Sequence, residues 1–253
     1  MEKQDLMQEF FDQAVSYMAR IKDEERERIQ HAAELIADQI EKDKLVYVWG
    51  PGGHSNIAAM EIFFRAGGLM HISAILDEGT MISSGSLRSM AIERTPGYGR
   101  IVIDDNQIGE GDLLIVANAY GMNAACVDAA FRAKELGATT IAVTSVEHAN
   151  NTPLDHPARH PSKVNLYQAC DCYVDTKVCV GDAVISVPGI DQKMGPISTF
   201  CNAYAMNCIM LQAAQILGER GVEVPIWKSG NCAGGDEWNN QFIARFKGKV
   251  RWM

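Results

Sequence analysis

The sequence predicts an α/β protein built on a mainly parallel sheet with helices on both faces. Three observations carry this. Short β-branched and aromatic runs recur from Lys44 onward: LVYVWG, HISAIL, DLLIVAN, TTIAVTS and CYVDT. Stretches of helix length separate them. Gly- or Asn-rich turns follow several of them directly. Strands spaced by helix-length connections argue for a parallel sheet covered on both faces.

Taken in order, the first ~42 residues have the three-and-four spacing of amphipathic helix. Leu6, Phe10, Ala14, Val15, Met18 and Ile21 form one stripe, and Ile29, Ala33, Ile36 and Ile40 form a second, after the charged break KDEERER. This predicts an N-terminal helical hairpin over residues 1–43, packed on the body or on a second subunit, with 44–253 as the main domain. The charge run reads as a solvated helix face. LVYVWG is the first strand, followed by a helix through Ile57, Met60, Phe63 and Phe64; HISAIL is the second strand. DLLIVAN is the third, followed by an amphipathic helix from Ala124 to Leu136 that Gly137 ends. TTIAVTS, CYVDT and AVISV supply a fourth, fifth and sixth strand. Residues 77–110 and 146–165, rich in Gly, Ser, Asn, His and Pro, read as long irregular loops of the kind that carry function. Pro196 opens a long apolar helix through Phe200, Tyr204, Cys208, Leu211 and Ile216, which closes near Gly218 or Gly221. The final segment holds Trp227, Trp238 and Trp252 and is expected to pack down. The 12 Met residues read as gap-filling packing, with Met206 and Met210 suited to a helix–helix interface.

Composition narrows the function. With 32 acidic against 23 basic residues the formal charge is −9, which opposes non-specific binding to nucleic acid or anionic lipid. No apolar run approaches the ~20 residues of a membrane span, and MEKQDLMQEFFDQ lacks the basic and apolar regions of a signal peptide. Seven scattered cysteines fit reduced thiols, so a cytoplasmic location is expected.

Three turns sit where chemistry is expected, at the carboxyl ends of strands. Gly50-Pro51-Gly52-Gly53-His54-Ser55-Asn56 lets backbone approach a ligand and presents a helix N-terminus to an anion. It is neither the dinucleotide fingerprint nor a P-loop, so no organic cofactor is expected. Asn118 to Asn123 forms the second turn, with Tyr120 and Gly121 inside it. Thr144-Ser145-Val146-Glu147-His148 is the third; its Thr144/Glu147 spacing also suits a capping box. The three turns are expected to converge on one crevice.

VYVWGPGGHSNIAAMEIF together with GEGDLLIVANAYGMNAACVDAAFRAKELGATTIAVTS resembles the core of the SIS (sugar isomerase) domain family. TSVEHANNTPLDHPARHPS and VGDAVISVPGIDQKMGPIST resemble, more narrowly, a bacterial subfamily of stand-alone phosphosugar-binding SIS proteins. The resemblance spans roughly residues 5–250. It implies a three-layer αβα, flavodoxin-like fold, a homodimer or homotetramer, and a sugar or sugar phosphate as ligand. One departure stands out. Where the family places Ser-x-Ser-Gly-x-Thr around a phosphate, this chain has Asn118, Tyr120 and Asn123, with Gly121 retained. Either the phosphate sits differently or the ligand carries another group, such as a sulfonate, or none.

The resemblance implies aldose–ketose isomerisation, with a carboxylate on the helix after the glycine turn as base. That position is Glu61, flanked by Met60, Ile62, Phe63 and Phe64, apolar neighbours expected to raise its pKa. Pairing with Arg65 is the plain alternative. Glu78 is the competing carboxylate. His54 and His148 are candidate proton carriers for ring opening. Gly52, Gly53, Ser55, Asn56, Asn118, Tyr120, Gly121, Asn123, Thr144, Ser145 and His160 are the expected ligand cradle. The spacing of His148, His156 and His160 matches no structural zinc motif, and Cys170 and Cys172 read as a buried strand near Cys179, so no metal is expected. The rival readings are a non-catalytic phosphosugar sensor that regulates a partner, and a lyase or etherase using the same proton abstraction.

Overall fold

Strands made of Val, Ile and Leu on both faces require a helical layer on each side. The computed structural model, which describes residues 4–253, supplies both layers. The chain runs α1 (Leu6–Glu24), α2 (Arg26–Glu41), β1 (Val46–Trp49), α3 (Ser55–Ile62), β2 (Ile72–Ile75), α4 (Ser86–Glu93), α5 (Tyr98–Asp105), β3 (Leu113–Ala117) and α6 (Ala124–Glu135). It continues through β4 (Thr139–Thr144), α7 (Val146–Asn151), α8 (Leu166–Ala169), β5 (Cys172–Asp175), β6 (Ala183–Ile185), β7 (Met194–Pro196), α9 (Ser198–Glu219) and α10 (Gly235–Phe246). The five-stranded sheet has the order β2-β1-β3-β4-β5, and every neighbouring pair is parallel. Chain direction across the sheet therefore switches between β1 and β3, where open α/β sheets leave a crevice beyond their carboxyl ends.

Side-chain alternation assigns the layers. Val46, Val48, Leu113, Ile115, Ile141 and Val143 face α1, α2, α3 and α9 in one core. Trp49, Leu114, Val116 and Ala142 face α5, α6 and α8 in the other. The two N-terminal helices meet at the single residue Glu25, and both lie along α9. Most of the charged break is exposed, as expected, but Glu25 is buried. Its carboxylate accepts from Lys177 Nζ at 2.6 Å, Arg28 Nη1 at 3.0 Å and the Asp175 amide at 3.1 Å. That burial makes it a tie to β5 rather than part of a solvated face.

Three expectations need correction. Residues 77–110 hold α4 and α5, joined by the Thr95-Pro96-Gly97 turn, rather than an irregular loop. Leu87 and Met90 on α4 are exposed, so no apolar stripe reveals that helix in the sequence. The sixth strand, β6, pairs antiparallel with β7 in a separate hairpin instead of joining the sheet. Pro196 ends that hairpin, and α9 starts two residues later. The helix does close where expected, at Gly221 with φ +70°. The C-terminal segment is packed: Trp227, Phe246 and Val250 form a small core with Met70.

At the opposite end of the sheet from the crevice, His71 is fully buried, with Nε2 3.3 Å from Asp43 Oδ1 and its ring edge-on to Phe246. Burial, reinforced by Arg245, holds its pKa down to about 4 despite Asp43. The unfolded chain takes up this proton near pH 6.5 and the folded chain only near 4. Stability is thus expected to fall as pH drops through that window, by about 3 kcal/mol at its lower end. Urea melts at pH 7 and 5 should show a loss that His71→Gln largely removes.

Candidate functional site

The crevice between β1 and β3 is built by side chains that restrain its loops. At Gly50 a Cβ would run into the backbone of Ser55, and Gly52 sits at φ +103°, where only glycine is unstrained. Asn56 Nδ2 donates to the carbonyls of Gly52 (3.2 Å) and Thr80 (3.0 Å), tying the first turn to the loop after β2. Asn118 Nδ2 donates to Pro51 O at 2.7 Å, while its Oδ1 accepts from the amides of Tyr120 (3.2 Å) and Gly121 (2.8 Å). One amide therefore stitches the first two turns together.

Between these turns and the start of α9 lies a hollow of about 230 Å³. Gly52, Gly53, His54 and Ser55 form one wall, and Tyr120 and Asn123 form another. Glu93, Asp182, Ser198 and Asn202 complete it. Glu93, the last residue of α4, lies so close to Gly52 that any Cβ there would collide with its carboxylate. Burial pushes the Glu93 carboxyl up to about 7, although Arg94 acts in the opposite direction. Tyr120 is pushed up to about 12, chiefly by burial and then by Asp182 and Glu93, so its phenol stays protonated and able to donate. Asp182 is already engaged: its carboxylate accepts from the amides of Ile197 (2.9 Å) and Ser198 (2.7 Å) and from Ser198 Oγ (2.7 Å), capping α9. Asn202 is only 3% exposed, and its Oδ1 has no hydrogen-bond partner. A buried acceptor left open beside a hollow is suited to a ligand hydroxyl.

Of the expected cradle, Gly52, Gly53, Ser55, Asn118, Tyr120 and Asn123 do come together here, with the candidate proton carrier His54 beside them. Asn118, however, donates to Pro51 O and accepts from two amides of its own turn, so it braces the loops. Asn56 and Gly121 likewise shape the turns, Gly121 at φ +60° against Thr144. Thr144 and Ser145 are fully buried beneath the crevice, not open to it. Ser145 caps α7 by accepting from the His148 amide at 3.0 Å and donating to Val178 O at 2.6 Å. His160 is held by Asp128 at 3.1 Å and Ser162 at 2.7 Å, away from the hollow.

The two carboxylates singled out in the sequence lie elsewhere. Glu61 is six residues beyond Ser55, about 9 Å farther along the helix and on another face. It accepts from Asn207 Nδ2 at 3.1 Å, pairs with Arg65 at 3.2 Å, and borders a different depression against α9. The flanking Met60 and Phe64 point outward, so they do not desolvate it as expected. Glu78 is exposed, while its neighbour Asp77 accepts the Tyr98 hydroxyl at 2.9 Å. Glu93, Asp182 and Asn202 escaped sequence reading. No local pattern marks them, since each reaches the crevice from an element remote in the chain.

A second hollow, of about 370 Å³, adjoins the first and shares Glu93, Tyr120 and Asn123 as its wall. The Tyr120 ring stacks on His148 with centroids 4.0 Å apart. His148 is buried and its pKa is lowered by that burial, so it is neutral near pH 7. Among the described residues, no three His, Cys, Asp or Glu side chains gather as metal ligands, and no helix is long and apolar enough to cross a membrane.

The chain matches the SIS domain over residues 9–145. It is 34% identical over 245 residues to a UPF0309 protein of Streptomyces griseus, covering 96% of this chain and 95% of that one. It is 31% identical over 248 residues to a UPF0309 protein of Oceanobacillus iheyensis, covering 98% and 99%. Among solved structures, a phosphoheptose isomerase from Francisella tularensis superposes with a TM-score of 0.51 at 15% identity, covering 85% of this chain and 100% of that one. That likeness is one of fold.

Proposed function

We propose, from the premise that this chain belongs to the SIS domain family and within it to the UPF0309 proteins, that it binds a sugar or sugar phosphate and interconverts its aldose and ketose forms. The observation that carries the reading is Glu93. It is a carboxylate with its pKa raised to about 7, set against a glycine turn in a walled hollow, which suits a general base at neutral pH. Glu93 replaces Glu61 as the proposed base. The relative of similar fold that is named a phosphoheptose isomerase agrees with this reaction class.

In this mechanism the open-chain sugar lies with the carbon beside its carbonyl facing Glu93. The carboxylate removes that carbon's proton, and the electron pair moves through the new C=C bond onto the carbonyl oxygen, giving an enediolate. The Tyr120 phenol donates to that oxygen, and the open Oδ1 of Asn202 accepts from the neighbouring hydroxyl. Proton exchange between the two oxygens, and return of the proton from Glu93 to the former carbonyl carbon, gives the isomer with no net change in atoms. His54, at the exposed rim, is proposed to assist ring opening.

The test is NMR of sugar phosphates and free sugars incubated with the protein in deuterated water. Deuterium entering beside the carbonyl, with a rate that falls about tenfold per pH unit below 7, is the expected result. A ligand that stabilises the protein against heat yet shows no exchange would overturn the isomerase reading and favour a sensor.

A further inference from the structure

The hollow that holds Glu93 carries no Lys or Arg, and its other carboxylate is Asp182, so it is a poor home for a dianion. The adjoining hollow shares Glu93 but lacks Asp182 and adds positive and donor groups. Arg94 lines it and has no carboxylate within 4.0 Å among the described residues. His156 lines it too; its Nδ1 accepts from the Ala158 amide at 3.2 Å, which leaves Nε2 carrying the proton and free to donate. Directly behind the wall made by Thr152 and Pro153 lies Arg159, only 6% exposed. Its guanidinium is held entirely by neutral acceptors: Asn165 Oδ1 (2.7 Å), Thr152 O (2.7 Å), Pro153 O (2.9 Å) and Ala149 O. A buried guanidinium with no counter-ion raises the potential of the space in front of it.

The geometry points to this second hollow as the subsite for a tetrahedral oxyanion on the substrate, a phosphate or sulfonate held by Arg94 and His156 in the field of Arg159. The neutral polyol end then reaches past Tyr120 to Glu93. This deepens the isomerase reading, resting on it for the position of the reacting carbon, and accounts for the departure in the second turn. Asn118 already occupies the loop amides of Tyr120 and Gly121 that would otherwise face an anion, so the charge is taken up elsewhere.

The test is calorimetric titration of the whole protein with inorganic phosphate and, separately, with sulfate. Saturable binding that weakens about tenfold in Arg94→Gln and severalfold in His156→Gln, yet stays within about twofold in Ser55→Ala, is expected. Arg94 is exposed at the end of α4, so its replacement leaves the fold intact. Preference between the two anions separates a phosphate ester from a sulfonated sugar. Absence of saturable binding to the wild type, or binding that Ser55→Ala weakens and Arg94→Gln does not, would overturn the assignment. The readout is equilibrium binding of an inorganic anion, so its failure is distinct from a failure of deuterium exchange at Glu93.

Discussion

Glu93→Gln is expected to leave the protein folded and ligand binding near its wild-type level while cutting deuterium exchange by about 10²–10⁴-fold, the usual contribution of a positioned base. The amide keeps the shape of the carboxyl and can hydrogen-bond, but it cannot take a proton. The pH profile sharpens the test. With its pKa near 7, the wild-type base is mostly protonated at pH 6, so activity should rise through neutrality to a plateau. In Glu93→Gln the residual rate should lose that acid limb. Wild type should lose about 3 kcal/mol of stability as pH rises from about 4.5 through 7, a pH-dependent loss that Glu93→Gln should not show. Above that window the folded protein must hold a half-buried charge that the unfolded chain, ionising near 4.5, carries freely. Full exchange in Glu93→Gln would dismiss Glu93. Loss of exchange in Glu61→Gln alone would restore the helix carboxylate.

The second large effect is on the loops. Asn118→Ala removes the donor to Pro51 O and the acceptor shared by two amides, all within a nearly closed environment. Stranding those groups is expected to cost about 3 kcal/mol. For a chain of this size that corresponds to a melting temperature lower by about 6–12 °C. Binding of any sugar ligand should weaken as well, because the two turns lose their common brace. If Asn118 instead acted as a direct ligand with no structural duty, affinity would fall while the melting temperature held. Thermal melts of the free variant decide between the two.

The Gly50–Asn56 and Asn118–Asn123 turns could be located from sequence because strand–turn–helix punctuation is local. A glycine directly after an apolar run marks the point where a strand gives way to a turn. Within those turns, however, roles were not legible: Asn118, Asn56 and Gly121 look like ligand contacts until their hydrogen bonds are traced to the loops themselves. Ser145 illustrates the same limit, since a capping pattern and a binding pattern share residue types, and it caps α7 in place of the expected Thr144. Glu61 misled through its apolar neighbours. Burial on a helix depends on which neighbours face inward, and Met60 and Phe64 do not.

By itself the sequence determined the class of fold, the five strands of the sheet, the crossover helices α3 and α6, and the two turns at the switch point. Each follows from periodicity and backbone chemistry within about twenty residues of chain. Only the tertiary structure decided which acid meets the glycine turn and which cations face a hollow. Glu93 arrives on a helix without an apolar stripe, Asp182 and Asn202 arrive around the β6–β7 hairpin, and Arg159 is buried by a loop distant from α4. Their charges acquire meaning through burial and mutual distance, quantities set by packing between segments far apart in the chain.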